Sequence, residues 1–228
     1  MNNCVEIVVL VEGQTERIFV QKILSPYFVN KKIFLTPILL SKPGEKGGDV
    51  KFSRAQNDIG RHLKQRKDTW ITLMVDYYGI ENEWPGFEKS KQQSTHTKKA
   101  EIINQGTMEQ IQKLFPNQNV THRFIPYVSM HEIEALYFSD PVCLANKLNI
   151  KESKIISILA ECGEPESING NNETAPSKRL EKLFHRFQKT STGIAIAEAI
   201  GITTMRKECP LFNTWLEKIE TLGKYRNK

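Results

Sequence analysis

The first clear element is an apolar run broken by a single acid, Val5-Glu6-Ile7-Val8-Val9-Leu10-Val11, rich in β-branched residues. Such a run predicts a strand buried on both faces. It ends in Glu12-Gly13-Gln14-Thr15-Glu16, after which Ile18, Phe19 and Ile23 recur at helical spacing. The spacing predicts a helix over about 15–24, stopped by Pro26. Residues 33–40 form a second strand candidate, followed by a glycine-rich loop (41–48), a helix over about 53–66 and a third buried strand, Trp70 to Val75, ending at Asp76. The polar stretch from Glu81 to about Thr107 reads as a long loop, with a short helix as the alternative. A helix over about 108–115, a strand over 123–128 and a helix opened by Ser129-Met130-His131-Glu132 and running to about Phe138 complete the alternation.

Strands alternating with helices predict an α/β fold: a mostly parallel four-stranded sheet flanked by helices, over residues 1–140. Beyond Asp140 the strand signals stop. Helical patterns recur at about 141–148, 152–161, 177–188, 192–199 and 209–222, with an Asn-Gly and Pro-bearing loop at 164–176. This makes residues 141–228 a helical C-terminal region packed on the sheet domain. Phe184, Phe187, Phe212, Trp215 and Leu216 are assigned to its core.

Composition narrows the class. The 228 residues are 39% hydrophobic and 25% charged, which excludes disordered and collagen-like chains. No apolar run reaches the roughly 20 residues of a membrane span, and the N-terminus does not read as a signal peptide, since Glu6 and Glu12 interrupt and end its apolar run. Cys4, Cys143, Cys162 and Cys209 are scattered, without zinc spacing, and read as reduced thiols of a cytoplasmic protein. A net charge of +6 suits a polyanion partner and equally suits a basic surface with no such role.

Candidate chemistry lies in the acids. In open α/β sheets, ligands bind beyond the carboxyl ends of the strands, where Glu12 and Asp76 fall. Glu16, four residues after Glu12 across a strand-to-helix turn, faces the same crevice or else stabilises the helix N-terminus. Gly13 lets the backbone turn there and brings a phosphate close to that terminus. Carboxylates gathered in this way are the hard ligands of Mg²⁺ or Mn²⁺. Ser129 to Glu132 matches a capping box, which gives Glu132 a structural job. His131 and Glu134 share another face of that helix: Glu134 as a further metal ligand, His131 as a general base, a phosphate contact or a structural hydrogen-bonding group. Lys51 and Arg54 after the glycine-rich loop, with Lys178 and Arg179 further on, are candidate phosphate contacts. The glycine-rich loop lacks the G-K-S/T of a nucleotide-binding loop.

Val11-Glu12-Gly13-Gln14-Thr15-Glu16 resembles the first Toprim motif, a strand ending in E-G-x-x-E. In the nuclease branch of that group, which includes OLD-type nucleases, both glutamates bind metal; the resemblance implies that role for Glu12 and Glu16. The second motif, D-x-D, reads Asp76-Tyr77-Tyr78, so its first acid matches and its second is replaced by Tyr78. The chain as a whole is similar to a Toprim-like family of unknown function, domain of unknown function 4276. The likeness runs through Val75-Asp76-Tyr77-Tyr78-Gly79, His131-Glu132-Ile133-Glu134, Thr174 to Arg179 and Cys209 to Leu216. It implies a Toprim-like sheet, a prokaryotic setting beside ATPases and a part in anti-phage defence. The expected activity is a divalent-metal-dependent nuclease, with a non-catalytic docking subunit of an ATPase complex, or phosphotransfer on nucleotides, as alternatives.

Overall fold

The computed structural model describes residues 4–41, 50–168 and 173–225. Most of the predicted glycine-rich loop, residues 42–48, and residues 169–172 of the predicted 164–176 loop lie outside them. Strand β1 (Val5–Val11) leads into α1 (Gln14–Phe19), a π-helical turn (Val20–Leu24) and α2 (Ser25–Val29); β2 (Ile33–Leu39) precedes α3 (Phe52–Gln65). Strand β3 (Trp70–Asp76) is followed by a 3₁₀ turn (Tyr77–Gly79), α4 (Phe87–Lys91) and α5 (His96–Leu114). Then α6 (Val120–Arg123) delivers β4 (Phe124–Ser129), and a 3₁₀ helix (Ile133–Ser139) closes the α/β part. The rest is helical: α7 (Pro141–Leu148), α8 (Glu152–Cys162), α9 (Pro176–Leu183), a π-helical turn (Lys189–Gly193), α10 (Ile194–Ile200), α11 (Ile202–Glu208) and α12 (Pro210–Tyr225).

The four strands form one all-parallel sheet in the order β2-β1-β3-β4. The expected α/β architecture is therefore the observed one. Strand alternation splits the core in two. Val5, Ile7, Val9 and Val11 face α1, α2 and the C-terminal helices, packing with Phe19, Phe212 and Trp215. Val8 and Leu10 face α3 and α5 with Ile59, Ile103 and Trp84. A buried chain of hydrogen bonds ties α12 to the sheet: Trp215 Nε1 donates to Thr72 Oγ1 at 2.8 Å, and Thr72 Oγ1 donates to the Ile125 carbonyl at 2.7 Å. Among the described residues, no helix is long and apolar enough to cross a membrane.

Several boundaries differ from expectation. Pro26 does not end the first helix. It sits in the first turn of α2, where its missing N–H costs little, and the π-helical turn before it absorbs the mismatch. The polar stretch 81–107 is not a loop; α5 begins at His96, with Thr95 Oγ1 accepting the Lys98 N–H. Its buried stripe, Ala100, Ile103, Thr107 and Ile111, is too thin to stand out among Lys, Gln and Glu. Trp84 anchors the segment, donating to Thr107 Oγ1 at 2.8 Å. The predicted 177–188 helix ends at Leu183, and α11 was not anticipated.

The segment 129–138 is not a capped α-helix. It folds as a 3₁₀ helix from Ile133. Ser129 Oγ donates to the His131 carbonyl at 2.7 Å, and the Glu132 carboxylate turns outward to α9 instead of back to the Ser129 backbone. The capping-box role expected of Glu132 is thereby replaced by a long-range one.

Candidate metal centre

The site begins with strand order. β1 lies between β2 and β3; the helix after β1 packs on one face of the sheet, and α5, after β3, on the other. The chain thus diverges beyond the ends of β1 and β3 and leaves a crevice there. Val11 pairs with Met74, so Glu12 leaves β1 beside the end of β3, which closes on Asp76. Asp76 pairs in turn with Ser129, the last residue of β4, and Glu132 and Glu134 follow at once.

Two glycines give the glutamates room. A Cβ on Gly13 would lie 2.8 Å from Glu16 Oε2; one on Gly79 would lie 2.9 and 3.0 Å from the two carboxylate oxygens of Glu12. Gly79 is itself held by the Val50 N–H, which donates to its carbonyl at 2.6 Å.

The electrostatics show that five acids share one field. Burial pushes the Asp76 carboxyl well above its usual range, and the negative charges of Glu16, Glu12, Glu132 and Glu134 push it further. Burial likewise raises Glu16 and carries Glu134 up to about 7, partly offset in both by Lys189. Burial would raise Glu132 too, but the Lys189 ammonium and the Ser177 amide outweigh it and hold this carboxyl below its ordinary value. Glu132 accepts from Lys189 Nζ at 2.7 Å and from the Ser177 N–H at 3.0 Å. Glu134 Oε1 lies 3.7 Å from the same ammonium, is almost wholly buried and accepts no hydrogen bond. Behind it the buried Tyr137 hydroxyl also has no hydrogen-bond partner. Its pKa is raised by burial and by Glu134, Glu16 and Glu132.

Glu12, Glu16, Asp76 and Glu134 are therefore brought into one field, with Glu132 as a fifth member. Among the described residues, however, no group of three or more His, Cys, Asp or Glu side chains is arranged so that it could hold a metal ion. The repulsion among these carboxylates is met instead by a lysine.

His131 does not share a helical face with Glu134. Its ring meets His96 edge-on at 4.9 Å and Tyr78 at 5.7 Å, and both its nitrogens are buried without hydrogen bonds. Burial, then the neighbouring His96, pushes it down to about 3, which leaves a neutral and weakly basic imidazole. Tyr78 is half exposed between Tyr77 and His131. Of the predicted phosphate contacts, three pair with carboxylates other than these five acids. Lys51 lies 3.6 Å from Glu81, Arg54 is half-buried on α3, and Lys178 pairs with Glu181 at 2.7 Å. Arg179 bridges to Glu161 and the Thr174 carbonyl. Sequence reasoning missed Lys189 and Gly79. Gly79 carried a signal, its place just after the strand-end Asp76; Lys189 carried none.

A cleft of about 1510 Å³ lies elsewhere, beside edge strand β4 between α5 and α12, and is lined by Trp84, Met108, Pro126 and Leu211 among others. None of the acids borders it.

No curated protein and no solved structure matches the chain. The model of the Domain of unknown function (DUF4276) matches residues 11–220. That match begins at the end of β1, takes in all five acids and Lys189, and reaches into α12, so the chain belongs to the DUF4276 family.

Proposed function

We propose that this protein is a divalent-metal-dependent hydrolase of nucleic-acid phosphodiesters. The observation that carries the reading is that Glu12 and Asp76 leave the adjacent ends of β1 and β3 while Glu16 and Glu134 lie near enough to act on Asp76, a gathering of negative charge that a cation would neutralise. The donors are all carboxylate oxygens, the chemistry of Mg²⁺ or Mn²⁺, which commonly take one or two carboxylates and complete their shell with water and substrate phosphate. The glycine cradles and the buried oxygen of Glu134 support that reading.

Glu12, Glu16 and Asp76 would hold the ion, with Glu134 as a further ligand. Such an ion, when bound, polarises the phosphoryl oxygen and lowers the pKa of an attacking water. The chain's own residues do the rest. Gly13 and Gly79 keep the two glutamates in place, and Lys189 neutralises carboxylates the ion does not reach. The weakly basic His131 packs against Tyr78 and His96. Lys178 and Arg179, which follow Ser177 on α9 and pair with Glu181 and Glu161, would exchange those partners for the phosphate backbone. The E-G-x-x-E resemblance to Toprim nucleases supports this reading, and a defence role beside an ATPase, in the cytoplasm, accords with it.

The test is nicking of supercoiled plasmid in Mn²⁺ or Mg²⁺. The wild type should nick, EDTA should stop it, and Glu12→Gln should lower the rate by at least about 100-fold, since losing even the support of a metal ligand costs about 10–100-fold. A second reading, a non-catalytic docking subunit, draws on Tyr78 in place of an acid and on the cleft beside β4. Wild-type protein inert on DNA and RNA with either metal, alone or with an ATPase partner, would favour it.

A further inference from the structure

The cation already in the site comes from an unexpected part of the chain. Lys189 opens the π-helical turn after α9, and that turn packs against α1 and the 3₁₀ helix at Ile133–Ser139. Gly193 fits it there: a Cβ at this position would lie 3.1 Å from the Tyr137 ring and 3.2 Å from its hydroxyl. The ammonium so placed lies 2.7 Å from Glu132 and 3.7 Å from Glu134, and it also feels the charge of Asp76.

Its two carboxylate partners are not equivalent. Glu132 is fully engaged, accepting both from Lys189 and from the Ser177 amide. Glu134 has a backbone hydrogen bond and the longer ion pair, and its Oε1 is buried without a hydrogen bond, as is the nearby Tyr137 hydroxyl. Buried polar atoms are ordinarily satisfied, so this corner is built for a ligand that Lys189 does not fully replace. The lysine is 38% exposed, on a flexible stem, and can swing toward solvent.

We propose that Lys189 is a displaceable counter-ion that competes with the divalent cation for Glu134. The proposal rests on the divalent-cation reading above. It makes the C-terminal region a determinant of metal affinity: the lysine keeps the acids together without metal and weakens metal binding in proportion to its hold.

Calorimetric titration of Mn²⁺ into the EDTA-stripped full-length chain tests this. Lys189→Met should bind Mn²⁺ at least about tenfold more tightly than wild type, since one positive charge near the shared carboxylates has gone. Lys189→Arg, which keeps the charge, should stay within about threefold of wild type. Unchanged or weaker binding by Lys189→Met, with wild type still binding, overturns the lysine's role and leaves the cation reading standing. No Mn²⁺ binding by either protein overturns both. If Lys189→Met is unfolded in EDTA, recovery of its native circular dichroism on adding Mn²⁺ supports the proposal; failure to recover overturns it.

Discussion

At the residue scale, the glycines separate a role in the site from a role in stability. Gly13 has an extended backbone that alanine also adopts, and the atom its Cβ would meet is a carboxylate oxygen at the end of a side chain that can move. Gly13→Ala should therefore leave the melting temperature near wild type while displacing Glu16, and Gly79→Ala should do the same to Glu12. Both should cost about 10–100-fold in Mn²⁺ affinity, as losses of ligand support do. Affinity unchanged in both variants would show that the cradles hold nothing of consequence. Protonation gives a second prediction. Native Glu134 keeps its proton up to about 7, against an ordinary 4.5, so between these values the folded state binds more protons and stability falls as pH rises. Glu166, also held up to about 7 by burial, acts in the same direction. His131, held down to about 3, opposes them: its contribution rises with pH between about 3 and 6.5. In EDTA, Glu134→Gln should flatten the fall in melting temperature between about pH 5 and 7; slopes identical to wild type would contradict the assignment. The places of Glu12 and Asp76 at the ends of β1 and β3 were legible in the sequence because strand ends are readable from apolar runs. The orientation of Glu132 was not, because the local S-x-x-E pattern pointed to a cap while a distant lysine and the Ser177 amide won its carboxylate.

At the element scale, the parts that escaped the sequence are those whose stability comes from elsewhere in the chain. α5 has little apolar surface of its own and depends on Trp84 and on the sheet face it covers. The first helix passes Pro26 because a π-helical turn and the Ser25 hydroxyl, bonded to the Val20 carbonyl at 2.9 Å, take up the strain. The strands were readable because a run buried on both faces needs no context to be apolar. α12 shows the same dependence at its start. Its first turn offers the Leu211 and Phe212 amides to the Glu166 carboxylate, at 2.8 and 2.9 Å, an anion at a helix N-terminus. Glu166→Ala strands both amides and should cost about 1–3 kcal/mol in chemical denaturation. A loss under about 0.5 kcal/mol, the level of an ordinary surface change, would mean that water serves these amides equally well.

At the scale of the whole molecule, the parallel sheet explains where the acids meet, and the C-terminal helices explain how they are tolerated. The order β2-β1-β3-β4 opens the crevice beyond β1 and β3. The helical region then closes over one face and delivers Lys189 and the Ser177 amide to Glu132. The alternation of strands and helices foretold the first of these facts; nothing local to residues 176–193 foretold the second, since a lysine in a polar turn looks like any solvated charge. The central claim is that these carboxylates form one cation site, and diffraction at the manganese edge from crystals soaked in Mn²⁺ tests it most directly. An anomalous peak should appear within about 2.0–2.4 Å of carboxylate oxygens from at least two of Glu12, Glu16, Asp76 and Glu134, the bonding range of such ions. A saturating soak that leaves this crevice without a peak, or places the ion only elsewhere on the protein, would contradict the account.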